Sequence, residues 1–260
     1  MNTADTVHMG ARVNPWRPLA AQTGAEVYMT LRRGETLLLT IGIPVVFLLF
    51  FSKVSVVSTP TAAPVDFFVP GILALAVMST AMVSLGIATG FERGYGVLKR
   101  LGSTPLGRPR LLGAKIVTII AVELLQAMVL VPVGLGLGWN PGGASASAAV
   151  PAALAAVLLG SAAFGGIGLF MAGVLKAEVN LAATNGLYLV LLLLGGMIVP
   201  ITKLPGGLQT FAKLLPAEAL SAALHAALGA GAAVPTESWV VLAVWAVAAP
   251  TAAALTFRWE

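Results

Sequence analysis

The stretch FERGYGVLKRLGSTPLGRPRLLGAK, residues 91–115, separates two long apolar runs and carries 6 of the 15 Lys and Arg residues in the chain. The rest of the sequence holds little charge: 58% of its 260 residues are hydrophobic, 10% are charged, and the mean hydropathy is +0.95. Soluble domains carry roughly 25% charged residues, so this composition indicates an integral membrane protein. The basic segment, residues 91–115, must then lie at an aqueous face, where a soluble partner can reach it.

The apolar runs on both sides of the basic segment are long enough to cross a bilayer as helices. A crossing helix needs about 20 apolar residues, and no run shows the alternating pattern of an outer-membrane barrel. The sequence therefore predicts an all-α membrane protein, with a cytoplasmic region at 1–35 and one transmembrane domain at 36–260. Six spans are expected, at about 37–52, 67–90, 116–137, 148–175, 181–199 and 239–255.

Positive charge is distributed unevenly between the two sides of this topology. Six crossings put both termini on one side, together with the basic segment. That side holds 12 of the Lys and Arg residues, whereas the other side holds only Lys53, Lys203 and Lys213. Because cytoplasmic loops are enriched in Lys and Arg, we expect both termini to be cytoplasmic and the protein to lie in the cell membrane.

Two further regions are predicted to be helical without crossing the membrane. Apolar residues at helical spacing over 18–33 indicate an amphipathic helix that lies in the membrane interface ahead of the first span. Residues 200–228 are too broken for a crossing, and Pro216 suits the start of a second short helix there. We expect an outer re-entrant pair of short amphipathic helices before the last span. A solvated helix and an outer linker packed on the spans are the respective alternatives.

Polar residues are rare inside the predicted spans, and Glu123 is the one that most requires a reason. Gln126 follows it by three residues and so shares its face of the third span. A carboxylate in hydrocarbon is costly and usually faces a bundle interior, a partner or a cavity. Glu123 and Gln126 are therefore candidate polar groups of a transport pathway, and the alternative is an interhelical hydrogen bond that fixes packing. Four aromatic residues are weaker candidates for lining a lateral site: Phe68, Phe164, Phe170 and Tyr188.

Several kinds of site are not expected. The chain has no cysteine, and its two histidines, His8 and His225, are far apart and lack carboxylate neighbours, so neither a metal site nor a catalytic triad is predicted. The phosphate-binding motif G-x-x-x-x-G-K-[ST] does not occur, so no ATP hydrolysis is expected in this chain. The positive-inside rule accounts for the basic charge without nucleic acid as a partner. We predict no catalytic residue and no cofactor in the chain itself.

The basic segment resembles the cytoplasmic coupling segment of the type 2 ABC exporter permeases. The resemblance rests on FERGYGVLKRL at 91–101, STPL at 103–106, and Lys115 at the start of a span. The interfacial helix before the first span and the broken pair before the last span agree with the same family. Gly94 and Gly96 depart from its pattern, in which a second acidic residue and a single glycine are commoner at these positions.

The resemblance implies a non-catalytic permease subunit of an ATP-driven exporter. Two copies of a separate cytoplasmic ATPase subunit, which would bind ATP and Mg²⁺, would dock against the coupling helix and the interfacial helix. A second permease, identical or homologous, would complete the export path within the lipid bilayer. The charged coupling residues would pair with acidic groups on the ATPase, and the apolar ones would fill its groove. The coupling residues implied are Glu92, Arg93, Val97, Leu98, Lys99, Arg100 and Leu101.

The substrate is indicated only by the character of the spans. Their apolar composition favours a hydrophobic or amphipathic substrate such as a drug, an antibiotic or a lipid, with polysaccharide export as an open alternative. A proton-coupled secondary carrier in which Glu123 titrates is a rival function, although such carriers normally show internal repeats. A membrane subunit that anchors or regulates an enzyme is a second rival. Association with an ATPase subunit would distinguish the three.

Overall fold

Helices make up the regular secondary structure of the part of the chain described. The computed structural model describes residues 23–25, 27–28, 32, 34–54, 59–61, 63–102, 108–141 and 146–257. Ten α-helices lie in these ranges: α1 (Gly34–Lys53), α2 (Pro64–Met78), α3 (Leu85–Gly94), α4 (Val97–Gly102), α5 (Arg108–Gly136), α6 (Ala146–Val174), α7 (Ala177–Leu194), α8 (Gly206–Ala212), α9 (Pro216–Leu224) and α10 (Thr236–Thr256). Two π-helical segments, Ser79–Ser84 and His225–Ala230, follow α2 and α9, and a 3₁₀ turn spans Ile201–Lys203.

Five helical stretches are long and apolar enough to cross a membrane. They correspond to the predicted second to sixth spans: Pro64–Gly94, Gly113–Gly136, Ala148–Val174, Ala177–Leu194 and Thr236–Thr256. In the region of the predicted first span, α1 contains a shorter apolar stretch, Thr40–Lys53. The interfacial helix predicted at 18–33 lies mostly outside the described residues. The prediction of a helical membrane protein is thus confirmed, with five of its spans at the expected places.

The second span, Pro64–Gly94, is the most buried of the five, and α1, α5, α6, α7 and α9 all pack against it. In its most apolar window 72% of the residues are buried, against 17% in the windows of α7 and α10. Phe68, Ile72 and Leu75 on α2 are almost fully buried and belong to the main apolar core. The helices α3 and α6 approach each other closely at Gly86, where an added Cβ atom would lie 3.0 Å from the backbone of Gly168. Glycine at such crossings allows close backbone packing in membranes.

The second span is interrupted by the π-helical segment Ser79–Ser84. A π turn holds more residues than an α turn, and such bulges frequently occur at functional sites. This segment also packs on α6, α7 and α5. It was not predicted, because hydropathy reports the length of an apolar run and not the partner of each backbone N–H.

The helix of the fifth span ends earlier than predicted. We expected it to run from 181 to 199, but α7 covers Ala177–Leu194 and residues 195–199 form bends. Gly195 caps the helix, and Gly196 adopts a φ of 66°, a left-handed conformation that favours glycine. The predicted end was wrong because apolar residues continue beyond this glycine pair.

The two short helices predicted before the last span are present, and Pro216 opens α9 as expected. However, α9 is not an interfacial helix with one exposed face. Leu220 and Leu224 are fully buried, and α9 packs against α10, α6 and α2. The indole N–H of Trp245 donates a 2.9 Å hydrogen bond to the carbonyl of Leu214, so the turn between α8 and α9 lies beside the middle of α10.

Candidate functional site

The basic segment folds into the end of α3, a tight turn and the short helix α4. Gly96 sits in the turn with a φ of 69°, which a residue with a side chain rarely adopts. The amide of Gly96 donates to the carbonyl of Arg93 at 2.9 Å, which closes the turn. One of the two departures from the family pattern, Gly96, therefore has a local reason: it reverses the chain between two helices.

Glu92 and Lys115 join the end of α3 to α5. Lys115 Nζ lies 2.6 Å from Glu92 Oε2, and the side chain of Lys115 is only 5% exposed, against 32% for Glu92. A buried ammonium group needs a nearby partner because its desolvation is costly. Glu92 therefore supports the fold here and is directed inward, rather than toward a partner subunit.

Arg93 joins the end of α3 to the end of α6. Its guanidinium donates to the carbonyl of Gly173 at 2.7 Å and to the carbonyl of Leu175. The last carbonyls of a helix lack partners within the helix, and a cation placed there also interacts favourably with the helix dipole. Arg93 thus caps the carboxyl end of α6, whereas the sequence suggested pairing with a partner's acidic groups.

The residues that follow Arg93 divide into a buried side and an exposed side. Leu98 is fully buried within the chain, so the expectation that it fills a groove on a partner is revised. Val97 is 37% exposed, Tyr95 is 72% exposed, and Lys99 and Arg100 also face outward. Leu101 belongs to α4, but its side chain lies outside the described part. Tyr95 was not among the predicted site residues, although its ring packs 5.9 Å from that of Phe91 and remains accessible.

Glu123 and Gln126 are both buried and hydrogen-bonded to other helices. Ser161 Oγ on α6 lies 2.6 Å from Glu123 Oε2. Gln126 accepts a 3.0 Å hydrogen bond from Thr80 in the π segment and donates one of 2.9 Å to the carbonyl of Thr40 on α1. Gln126 therefore links three helices, and the geometry of both residues corresponds to the packing alternative that the sequence left open.

His225 occupies a packed position beside the start of the second span. Its Nε2 lies 2.9 Å from the carbonyl of Phe67, its Nδ1 lies 2.7 Å from the carbonyl of Ser221, and its ring packs against that of Phe67. Burial lowers the pKa of His225, and the two carbonyl contacts oppose this shift in part. This contact could not be predicted from the sequence, since His225 and Phe67 are separated by 158 residues.

The four aromatic candidates for a lateral site do not come together. Phe68 and Phe164 are fully buried in the core. Phe170 is 37% exposed and borders an apolar cavity between α6, α7 and α10, whereas Tyr188 on α7 is half-buried outside the lining of that cavity.

Comparison with known proteins identifies the family. Among curated proteins, none matches this chain. The family described as ABC-2 type transporter matches residues 21–228, which is most of the chain and includes the basic segment and four of the five long spans. The chain therefore belongs to the ABC-2 type transporter family, as a non-catalytic multi-pass membrane permease whose ATPase is a separate chain.

Proposed function

We propose that the chain is the permease subunit of an ATP-driven exporter with six spans, of which α1 is the first. With 20 residues α1 is about 30 Å long, which matches the hydrocarbon thickness of a bilayer. This topology makes 36–260 the membrane domain and leaves 1–35 in the cytoplasm. The charge distribution supports cytoplasmic termini, with the outer pair α8 and α9 as a re-entrant hairpin.

Coupling to the ATPase is assigned to the basic segment, with a division of labour between its residues. Tyr95, Val97, Lys99 and Arg100 form the docking face, which is the exposed side of the turn and α4. Glu92 and Arg93, which come earlier in the chain than this face, point inward. Glu92 pairs with Lys115 on α5, and Arg93 caps the carboxyl end of α6. The observation that carries the proposal is this division, because the exposed turn and α4 continue directly from the end of α3, which is tied to α5 and α6 and can pass rigid-body motion on to them.

The export path is proposed to form between two copies of the permease, identical or homologous, and to carry a hydrophobic or amphipathic molecule. The polar residues of the spans support this substrate class, because Glu123 and Gln126 are engaged by neighbouring helices. The five long spans are otherwise strongly apolar along their described lengths. Such walls suit a cargo with little charge better than a highly charged one.

The proposal is tested by co-expressing the permease with the ABC ATPase subunit and measuring co-purification and ATP turnover. Reversing the docking charges with Lys99→Glu and Arg100→Glu should reduce co-purification about ten-fold or more, because like charges across an interface cost several kcal/mol. Arg93→Gln should leave co-purification intact and lower the permease-dependent part of ATP turnover. Lys176→Gln, an exposed cation next to the carbonyl that Arg93 binds, is the matched control. Failure of any ATPase to associate with the native permease would refute the proposal.

A proton-coupled carrier is the second candidate, and one observation favours it. Glu123 Oε1 is buried and makes no hydrogen bond to the described residues. Buried ionisable groups inside spans are by default functional candidates. If Glu123 drives transport, Glu123→Gln should abolish transport in vesicles even with ATP and the ATPase supplied. If its role is to bind Ser161, the substitution should leave permease-dependent ATP turnover close to the native value.

A further inference from the structure

An apolar cavity of about 420 Å³ lies under the turn between α8 and α9. Its walls come from α6, α7 and α10, and its roof is formed by Leu215 and Pro216 of the re-entrant pair. Phe170, Leu187 and Trp245 line it, one from each of these three helices. This volume falls within the range of about 300–1,000 Å³ that is common for small-molecule sites.

Water is a poor occupant of this cavity. A buried water needs two to four polar partners, and the lining side chains are aliphatic or aromatic apart from the sulfur of Met171 and the indole N–H of Trp245. That indole N–H already donates to the carbonyl of Leu214, outside the cavity lining. An apolar cavity without polar partners is filled by apolar matter or stays empty at a cost to packing.

The helices α7 and α10 both line the cavity and leave a gap between them. Both helices pack on other parts of the fold, α7 on α3 and α10 on α6, but they make almost no contact with one another along their described lengths. Their outward faces carry exposed apolar residues such as Leu189 on α7 and Val247 on α10. The gap therefore faces the hydrocarbon of the bilayer, which supplies alkyl chains and little else.

The volume also selects a chain-like occupant over a protein helix. A helix with its side chains is about 10 Å wide and rises 5.4 Å per turn, so this cavity would hold only about one turn of it. At roughly 30 Å³ for a group the size of a water molecule or a methylene, it holds on the order of a dozen chain carbons. We propose that the cavity between α6, α7 and α10, roofed by Leu215 and Pro216, binds one linear alkyl chain, from either a bilayer lipid or a single-chain amphiphile.

The test uses photolabelling of the full-length permease, with its ATPase subunit, in phosphatidylcholine vesicles. In one arm the lipid carries a diazirine in one acyl chain; in the other arm the lipid is unlabelled and an alkyl trimethylammonium with a diazirine in its chain is added. Labelled residues are mapped by mass spectrometry. We expect labels concentrated on Phe170, Leu187 and Trp245 in at least one arm. Labelling by the phosphatidylcholine alone indicates a resident lipid, and displacement of that label by the ammonium probe indicates a single-chain ligand.

Two substitutions on α10 provide the comparison. Ala248 lines the cavity, whereas Ala243 is exposed on the same helix and does not. Ala248→Phe places a ring in the cavity and should lower its labelling about five-fold or more, because a filled apolar site accepts further groups only at a cost in free energy. Ala243→Phe should leave it unchanged. Leu187→Phe, which fills the cavity from α7, repeats the test if Ala248→Phe does not fold.

Even labelling of all exposed positions on α7 and α10, with no effect of either cavity-filling substitution, would overturn the inference. Labelling needs neither ATP hydrolysis nor an intact docking face. A failure here is therefore distinguishable from a failure of the proposed coupling to an ATPase.

Discussion

The arginine that caps α6 offers the most direct test of how the basic segment is held to the spans. Arg93→Gln removes the guanidinium while keeping a polar side chain of moderate length. The change leaves the carbonyls of Gly173 and Leu175 without their charged donor. The separate substitution Arg93→Lys keeps the charge near the end of α6 but loses the planar fork that reaches two carbonyls at once.

The expected magnitude follows from the two hydrogen bonds and the exposure of the side chain. Hydrogen bonds that involve a charged group contribute about 1.5–3 kcal/mol each where they are buried. Arg93 is half-exposed, so water replaces part of each lost contact, and we expect a total loss of about 2 kcal/mol, including the helix-dipole contribution. In a chain of this size each kcal/mol shifts Tm by about 2–4 °C, so Arg93→Gln should lower Tm by about 4–8 °C. Arg93→Lys should lower it by about half as much.

The assay is thermal unfolding of the purified permease, followed by tryptophan fluorescence, with ATP turnover of the complex measured on the same preparations. Lys176→Gln is the control, because that lysine is exposed and precedes the first turn of α7, where a cation gains nothing from the dipole. Its Tm should stay within about 2 °C of the native value. If Arg93→Gln and Lys176→Gln behave alike, the capping role is refuted.

Three further outcomes follow from the packing. Gly71→Ala should prevent stable folding, because its Cβ would overlap the carbonyl of Met197. At Gly186 a Cβ meets nothing within 4 Å, so Gly186→Ala should stabilise the chain by up to about 1 kcal/mol. Expression and Tm of the two variants check both expectations. Gln126→Leu should cost about 0.6–1.7 kcal/mol in thermal unfolding, since it removes hydrogen bonds to two other helices; an unchanged Tm would contradict this. His225 has a folded-state pKa below its ordinary value, so the unfolded chain binds a proton more readily, and the native Tm should fall as pH drops below about 6.5, where a His225→Gln variant changes less.

The membrane fold was largely predictable because its dominant signal, the length of apolar runs, is carried by every residue in a span. The ends of the helices were less predictable. The fifth span was drawn to 199 because residues 197–199 are apolar, yet the chain leaves the helix at Gly195 and turns at Gly196. Hydropathy averages over a window, whereas a helix ends where one residue adopts another conformation and the next carbonyls find other partners.

The candidate site shows the same limit at the scale of side chains. The basic segment was predicted as a docking site from its charge, and its exposed face remains the proposed docking surface. Nothing in the sequence distinguishes Arg93, which points inward, from Lys99, which points outward, because both belong to one run of basic residues. The difference depends on the carboxyl end of α6, about 80 residues away, which reaches Arg93 only in the folded chain. Leu98 was misassigned for a similar reason, since burial is decided by distant elements.

The π segment of the second span has a consequence for genetics. Because a π turn accommodates an extra residue in the helical path, deletion of one residue within 79–84 would let the segment close as a regular α-helix. The helix from Leu85 onward would then keep nearly the same rotation relative to α2, whereas deletion of one residue from a regular turn of α2 would rotate it by about 100° and draw it back by about 1.5 Å. A deletion within α2 would leave hydropathy and span length almost unchanged, yet it would turn Glu92 and its neighbour away from α5 and α6. In a deletion scan, residues 79–84 should therefore tolerate the loss of one residue better than the α-helical turns on either side.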